Sequence, residues 1–221
     1  MARRMMRFPF GRHGCLLAGA GVLLGILAVR TAVAAEPIPE ILGQMEKAMA
    51  DVKTVKTRFV QEKKMALFNH PLITRGSIWV EPPAHLLWRV DSPMRYALAI
   101  DGQRARQWDG ETGKTMSMSL DGNPVFSAVT EQLNAWFGGR YGMLAQDYDI
   151  AQQSVSPAAF VFVPKPSAPS AKMLKSVTVV FREDARYIAS IQIDDCSGDV
   201  TTLKFEETEI NVPLGPEAWE L

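Results

Sequence analysis

The sequence has few of the side chains on which metal sites and many hydrolytic active sites depend. Its 221 residues include 2 cysteines and 3 histidines, and none of these stands in a Cys-x-x-Cys or His-x-x-x-His spacing. Zinc sites use such ligands at short, regular intervals. Neither a Gly-x-Ser-x-Gly pattern nor a phosphate-loop pattern of glycines occurs. The sequence therefore predicts no metal site, no cofactor and no enzymatic activity.

Basic residues are not in excess either. The 24 Lys+Arg residues balance the 24 Asp+Glu residues over the whole chain. Five arginines and no acidic residue lie in residues 1–35, so residues 36–221 carry a formal net charge of −5. A protein that binds nucleic acid needs a basic surface to neutralise phosphates. This charge balance predicts that nucleic acid is not a partner.

No apolar run is long enough to span a bilayer. The longest run, residues 15–29, has about 15 residues, against about 20 for a transmembrane helix, and Arg30 ends it. Arginines precede this run, and the small residues Val33-Ala34-Ala35 follow it, which is typical of a signal peptide. We therefore predict a cleaved signal peptide over residues 1–35 and a periplasmic domain over residues 36–221 in a Gram-negative bacterium. Sec and twin-arginine export both remain open.

Only Cys196 remains in that domain, which excludes an internal disulfide bond. A lone thiol most often packs as a small apolar side chain. Because Cys196 falls on a predicted strand, we expect it to be buried.

Two amphipathic segments are predicted to be helical. In residues 39–52 apolar side chains recur at helical spacing, with Glu40, Gln44 and Lys47 on the other face. Residues 125–137 show a second such pattern, which ends at Gly138-Gly139.

The remaining segments predict strands. Residues 55–65 form a first strand, and residues 74–110 follow as short alternating runs between turn residues, which is typical of an antiparallel meander. Trp79, Trp88 and Trp108 lie on successive strands of this meander. Five more strands lie between residues 148 and 206, interrupted by residues 164–171, whose proline and serine content predicts a mobile loop. The order favours one mainly β domain of the α+β class, in which two helices cover one side of a large antiparallel sheet.

Large, soft apolar side chains are plentiful. The chain has 11 methionines, and eight of them follow residue 35. Methionine fills irregular space and repacks easily, which suits a surface that accepts flexible acyl chains. An ordinary packed core would use the same side chains. If the helices cover the sheet loosely, the space between them is a ligand pocket.

The order of several short motifs resembles that of the periplasmic lipoprotein carrier family, LolA. The motifs are Arg58-Phe59-Val60-Gln61-Glu62-Lys63, Gly76-x-x-Trp79-Val80, Leu87-Trp88-Arg89, Ser197-Gly198-Asp199-Val200-Thr201 and Asn211-Val212-Pro213-Leu214. The resemblance implies an incomplete antiparallel β-barrel, in effect one strongly curved sheet, closed by a helical lid over an apolar cavity for acyl chains. It also implies an inner-membrane transporter or exporter that loads the carrier and an outer-membrane acceptor that unloads it.

One position departs from the pattern of that family. Members that carry lipoproteins have an arginine just before the proline that follows the Gly-x-x-Trp-Val strand, and this arginine latches the lid. Here Pro82 stands where the arginine is expected, in Glu81-Pro82-Pro83. Arg75 and Arg89 lie nearby in sequence but do not match it. The chain therefore resembles a divergent branch of the family, for which the cargo is a lipoprotein or another lipid.

These observations predict a monomeric carrier that holds acyl chains without covalent chemistry. The alternative is a lipid-sensing or accessory lipid-binding module of a membrane lipid-export complex. The predicted cavity-lining residues are Phe59, Trp79, Trp88, Tyr96, Leu98, Met116, Met118, Phe126, Leu133 and Phe137. Which face of each strand points inward stays open, because a shift of one residue inverts it.

Overall fold

The computed structural model describes residues 37–83, 85–102, 104–120 and 135–221. This part of the chain contains the helices α1 (Ile38–Met49) and α2 (Tyr141–Leu144, short), the helical residues 135–137, and 3-10 turns at Pro169–Lys172 and Pro216–Trp219. None of the helices in these residues has the length and apolar character that a membrane crossing requires. The strands are β1 (Val55–Lys64), β2 (Leu72–Glu81), β3 (His85–Ser92), β4 (Tyr96–Asp101), β5 (Arg104–Asp109), β6 (Thr115–Ser119), β7 (Tyr148–Val155), β8 (Ala158–Pro164), β9 (Leu174–Phe181), β10 (Ile188–Asp195) and β11 (Val200–Ile210).

The eleven strands form one antiparallel sheet in the order β6-β5-β4-β3-β2-β1-β11-β10-β9-β8-β7. Within each half, neighbours in space are neighbours in sequence, as short connections between antiparallel strands allow. The pairing of β1 with β11 joins the two halves, with Phe59 opposite Phe205. In the described residues the sheet does not close, since β6 and β7 stand at opposite edges.

Helix α1 covers one face of the sheet. Pro39 stands in its first turn together with Glu40, and Lys47 stands in its last turn, which agrees with the preferences of helix ends. Leu42, Met45 and Met49 are its buried residues. The predicted helix is confirmed, although it ends at Met49 and not at Val52.

A single apolar core lies between α1 and the sheet. It includes Ile100 and Ala105 from strands near one edge, and Phe160 and Phe162 from a strand near the other. Strands so far apart in the order share one core only if the sheet curves around it. The predicted fold class, a strongly curved antiparallel sheet with a helical cover, is confirmed.

Two local predictions need comment, and the second is wrong. The proline-rich segment is irregular over residues 165–168 and enters a 3-10 turn at Pro169, and Lys165 Nζ donates hydrogen bonds to the carbonyl oxygens of Ala145 and Gln146 at 2.7 and 3.2 Å. Cys196 is exposed, because β10 ends at Asp195 and the thiol falls in the turn that follows. The predicted helix over residues 125–137 lies outside the described residues except for residues 135–137, which are helical.

We expect Gly76→Ala to destabilise the protein. Gly76 lies opposite Phe59 of β1, and an added Cβ would overlap the Arg89 carbonyl oxygen of β3 and come within 2.9 Å of the Phe59 ring. Overpacking of this kind costs about 1–3 kcal/mol of unfolding free energy. Gly43→Ala is the matched control, because nothing lies within 4 Å of a Cβ there, and alanine in a helix stabilises it by about 0.5–1 kcal/mol. Urea unfolding of both variants measures the difference, and equal midpoints would contradict the close approach at Gly76.

Candidate functional site

The strand register decides which side chains share a face. Ile78 lies opposite Trp88, Trp88 lies opposite Leu98, and Leu98 lies opposite Gln107. Residues directly opposite each other in an antiparallel pair point to the same side of the sheet. Because Ile78 is buried in the core that α1 covers, this series of residues marks what we call the inner face. Side chains that alternate with them make up the outer face.

The main cavity lies on the inner face and has a volume of about 300 Å³. Most of the residues that line it are apolar, and they come from both halves of the sheet and from the helical residues 136 and 137. They are Gln61, Trp88, Trp136, Phe137, Leu174, Val177, Ile191, Ile193, Thr201 and Leu203.

A smaller side pocket of about 130 Å³ adjoins the main cavity, since Gln61 and Trp88 line both. It extends along β2, β3 and β4, with Tyr96 and Leu72 among its residues. Burial raises the pKa of the Tyr96 phenol above its ordinary value, so this group stays neutral in the physiological range.

Aromatic contacts fix the wall of the main cavity that faces the sheet. The Trp136 ring lies 4.7 Å from the Phe162 ring, and the Phe137 ring lies 6.1 Å from the Phe205 ring. The edge-on geometry of both pairs is one that aromatic rings prefer. These contacts attach residues 136 and 137 to β8 and β11, the strands on either side of the β10–β9 pair. The cavity therefore has one wall from these two residues and another from the sheet.

Helix α2 is attached beside this wall. The backbone N–H of Gly142 donates to Glu46 Oε1 of α1 at 2.7 Å. Tyr141 and Tyr187 are fully buried here, and the Tyr141 ring packs against Phe181 at 5.1 Å. Burial raises the pKa of both phenols, and the carboxylate of Glu46 raises that of Tyr141 further. Both hydroxyls are therefore neutral and do not titrate near neutral pH.

Few polar groups face the cavity. Gln61 and Thr201 line it. Trp88 also lines it, but its indole Nε1 is itself buried and has no hydrogen-bond partner among the described residues. The same residues contain no group of three or more His, Cys, Asp and Glu side chains placed to hold a metal ion. An apolar pocket with a few polar groups that orient the ligand is the usual form of a site for small apolar molecules. The arrangement can bind an apolar chain that carries one or two hydrogen-bonding groups.

Of the ten residues predicted from the sequence, the structure brings several to the inner face. Trp88 and Phe137 line the main cavity, and Phe59 packs under Trp88 with ring centroids 4.9 Å apart. Tyr96 lines the side pocket, and Leu98 packs against the core. On the edge strand β6, Met118 is partly buried against the core and Met116 is exposed. Phe126 and Leu133 lie outside the described residues.

Trp79 requires a correction, because it lies on the outer face. It is opposite Leu87, and with Trp108 it packs around Leu87, Ala97 and Ala99 in a second apolar cluster. Trp219 and Leu221 of the C-terminal segment cover this cluster. Trp88 lies opposite Ile78, the residue that precedes Trp79 in β2. Because successive side chains of a strand point to opposite faces, Trp79 and Trp88 lie on opposite sides of the sheet.

Sequence reasoning missed most of the wall that the C-terminal half contributes. Val177, Ile191, Ile193 and Leu203 line the main cavity from β9, β10 and β11. The signal for them is present as alternation, in Val177-Thr178-Val179 and Ile191-Gln192-Ile193. It predicts that one side of each strand is buried, but it does not indicate that this side borders an opening.

Comparisons with known proteins identify a family for this chain. The family model described as "Outer membrane lipoprotein carrier protein LolA" matches residues 50–220. The chain is 23% identical over 137 residues to an outer-membrane lipoprotein carrier protein from Chromohalobacter salexigens, a match that covers 62% of this chain and 60% of that protein's length.

Two solved structures show a distant similarity to this chain. Lipoprotein LppX from Mycobacterium tuberculosis is similar with a TM-score of 0.47 and 13% identity, over 81% of this chain and 99% of that one. A LolA superfamily protein from Nitrosomonas europaea is similar with a TM-score of 0.44 and 8% identity, over 85% and 99% of the two chains. Because the family model matches well over half of the chain, this protein belongs to the LolA family of outer-membrane lipoprotein carrier proteins.

Proposed function

We propose that this protein is a carrier that holds the acyl chains of a lipoprotein or another lipid in the main cavity. It moves this cargo through the periplasm from the inner to the outer membrane and does not change it covalently. The observation that carries the proposal is an apolar cavity of about 300 Å³ on the inner face, in a chain of the LolA family.

The hydrophobic effect explains why such a cargo needs a carrier. Each methylene group withdrawn from water contributes about 0.8 kcal/mol, so a long acyl chain amounts to on the order of 10 kcal/mol. Escape of an acylated molecule into water is correspondingly rare. A cavity that offers an alternative apolar environment lowers this barrier. Side chains such as Ile193 and Leu203 supply that environment here.

The volumes of the main cavity and the side pocket favour an acyl chain that extends through both of them. Ligand sites usually have about 300–1,000 Å³, and the main cavity is at the lower end of this range. The side pocket continues it past Gln61 and Trp88. A chain that occupied both would pass these two side chains, which carry two of the hydrogen-bonding groups of the site.

The indole N–H of Trp88 is suited to a carbonyl group of the cargo. A buried donor without a partner is unfavourable by about 1–3 kcal/mol, and the described residues provide no acceptor for it. An ester or amide carbonyl at the head of an acyl chain would satisfy it by displacing the groups that now bury this atom. Gln61, beside it, can donate to the same class of acceptor.

The proposed partners follow from the route. An inner-membrane transporter or exporter would supply the cargo, and an outer-membrane acceptor would receive it. Pro82, in place of the arginine of lipoprotein-carrying relatives, is the reason to include lipids other than lipoproteins among the cargoes. Mass spectrometry of lipids that co-purify with the protein would separate acylated proteins from free lipids.

We expect Ile193→Glu to weaken acyl-chain binding at least about tenfold, because a carboxylate in the cavity wall would be desolvated by the chain. Titration of a fluorescent fatty acid measures this. Val163→Glu is the matched control, since Val163 is an exposed β-branched residue on the nearby strand β8. Equal affinity of the two variants would contradict the assignment of the main cavity as the binding site.

Transfer of the fatty acid between donor and acceptor vesicles separates a carrier from an accessory module, which would bind without increasing transfer.

Trp88→Phe is expected to alter selectivity more than overall affinity. The change keeps an aromatic ring and removes the N–H donor, so a fatty-acid methyl ester should lose about 0.5–1.5 kcal/mol of binding free energy relative to an alkane of equal length. Calorimetric titration with both ligands gives the ratio of their dissociation constants in each protein. If this ratio is the same in Trp88→Phe and in the wild type, the indole N–H does not contact the cargo.

Expression of the whole chain in a Gram-negative host should yield a periplasmic protein that begins at Glu36. We expect this because residues 1–35 contain a basic segment, an apolar segment and small residues in the order that is typical of a cleaved signal peptide. Intact-mass measurement of the periplasmic fraction tests this, with Ala35→Arg as a variant that should slow cleavage. Recovery of the wild-type chain at full mass in the membrane fraction would contradict the predicted processing.

A further inference from the structure

The turn between β1 and β2 exposes large apolar side chains. We call residues 65–72 the apolar tip. Within it the side chain of Leu67 is 92% exposed and that of Phe68 is 64% exposed. Leu72, at the start of β2, is also exposed. Exposed leucine and phenylalanine next to each other at the end of a hairpin are unfavourable in water unless something else covers them.

The base of the apolar tip is held in place. The backbone N–H of Ala66 donates to Asp199 Oδ1 at 3.0 Å, and the N–H of Phe68 donates to the Met65 carbonyl oxygen at 3.0 Å. Lys63 Nζ lies 3.4 Å from Asp199 Oδ2. The turn between β10 and β11 therefore supports the hairpin, and the apolar side chains stand beyond this support.

Other exposed apolar side chains lie at the same end of the sheet. Met94, in the turn after β3, is 63% exposed, and Met173, just before β9, is 65% exposed. Because neighbouring strands run in opposite directions, the last residues of β1 and β3 and the first residues of β9 lie at the same end of the sheet. The hydrogen bond from Cys196 N–H to the Met173 carbonyl oxygen, at 2.8 Å, joins Met173 to the β10–β11 turn. The apolar tip thus forms part of a wider apolar rim.

The side pocket reaches this rim. Leu72 of the apolar tip, together with Pro93 and Met94 of the β3–β4 turn, lines it. Anything that covered the rim would therefore lie next to the opening that leads to Trp88 and the main cavity. This connection suits a surface from which an apolar chain is taken up or to which it is delivered.

Charge and composition favour a lipid surface as the partner. Residues 63–75 contain Lys63, Lys64 and Arg75 and no carboxylate. Lys63 pairs with Asp199 and Lys64 with Glu62, and Asp195 stands at the adjoining β10–β11 turn, so Arg75 is the cation of this segment for which the described residues show no ion pair. Cationic side chains beside an apolar apex complement the phosphates of anionic lipids. The apolar tip has no Trp, Tyr or Arg, the residue types that dominate protein–protein hot spots, where leucine is under-represented.

We propose that the apolar tip inserts Leu67 and Phe68 into the interfacial region of a phospholipid bilayer that contains anionic lipids. The neighbouring lysines then lie at the level of the phosphates, and the side pocket faces the bilayer surface. This inference rests on the proposed function for its purpose, because docking would let an acyl chain pass between bilayer and cavity with little exposure to water.

Vesicle flotation tests the proposal. The protein is expressed with its own N-terminal segment in a Gram-negative host, purified as that host processes it, and mixed with vesicles of phosphatidylethanolamine and phosphatidylglycerol. The double variant Leu67→Ser, Phe68→Ser should bind at least about tenfold more weakly than the wild type, because two apolar side chains no longer enter the bilayer. Val155→Ser is the matched control, since Val155 is 80% exposed and lies at the opposite end of the sheet; it should bind within about twofold of the wild type.

Three results would overturn the proposal. The first is equal binding of the double variant and the wild type, and the second is no binding of the wild type to these vesicles. The third is a loss that appears only with native membranes and not with protein-free vesicles, which would identify a protein as the partner of the apolar tip.

Fatty-acid titration without vesicles separates this inference from the proposed function. The double variant should bind a fluorescent fatty acid as the wild type does, because Leu67 and Phe68 line neither opening. If the wild type binds fatty acid but not vesicles, only the docking inference fails. If vesicle binding depends on the apolar tip but no fatty acid binds, the proposed carrier function fails and the docking surface stands.

Discussion

The pairing of β1 with β11 is the interaction on which the rest of the structure depends. Each half of the chain is a meander of adjacent strands, and among the described residues this pair alone joins them into one sheet. Its register continues from Val55 opposite Ile210 to Lys64 opposite Val200. A hydrogen bond of 2.7 Å between the hydroxyls of Thr57 and Thr208 supports it where the register shifts. The main cavity has walls from both halves, so it exists only because these two strands pair.

The N-terminal meander is covered on both faces, and this constrains its sequence. On the inner face Phe59, Ile78 and Trp88 meet the core, and on the outer face Trp79 and Trp108 meet the C-terminal segment. Arg106 Nη2 and Arg89 Nη2 hold that segment by donating to the carbonyl oxygens of Trp219 and Glu220, at 2.9 and 3.0 Å. Tryptophans on successive strands therefore serve two different surfaces. The inner surface is open enough for a ligand, and the outer one is closed by the end of the chain.

The sequence allowed most of the secondary structure to be predicted, because alternation and helical periodicity are local properties. The helix predicted over residues 39–52 is α1 (Ile38–Met49), and the strand predicted over residues 55–65 is β1 (Val55–Lys64). The site was harder to predict. Phe59 and Trp88 were assigned to the face where the structure places them, but Trp79 was not, because assigning a face requires the register with neighbouring strands. Ile191 and Ile193 look like ordinary core residues in sequence, and only the gap between them and Trp136 makes them cavity residues.

By itself the sequence determined the class of the protein: a mainly β chain with amphipathic α1, few metal ligands and motifs in the order found in the LolA family. These features depend on which residues stand next to each other along the chain. Only the tertiary structure decided which tryptophan faces the cavity, that Cys196 is exposed and that the apolar tip stands beside an opening. Each of these depends on pairings between residues far apart in sequence, above all β1 with β11, and local periodicity carries no information about such pairings.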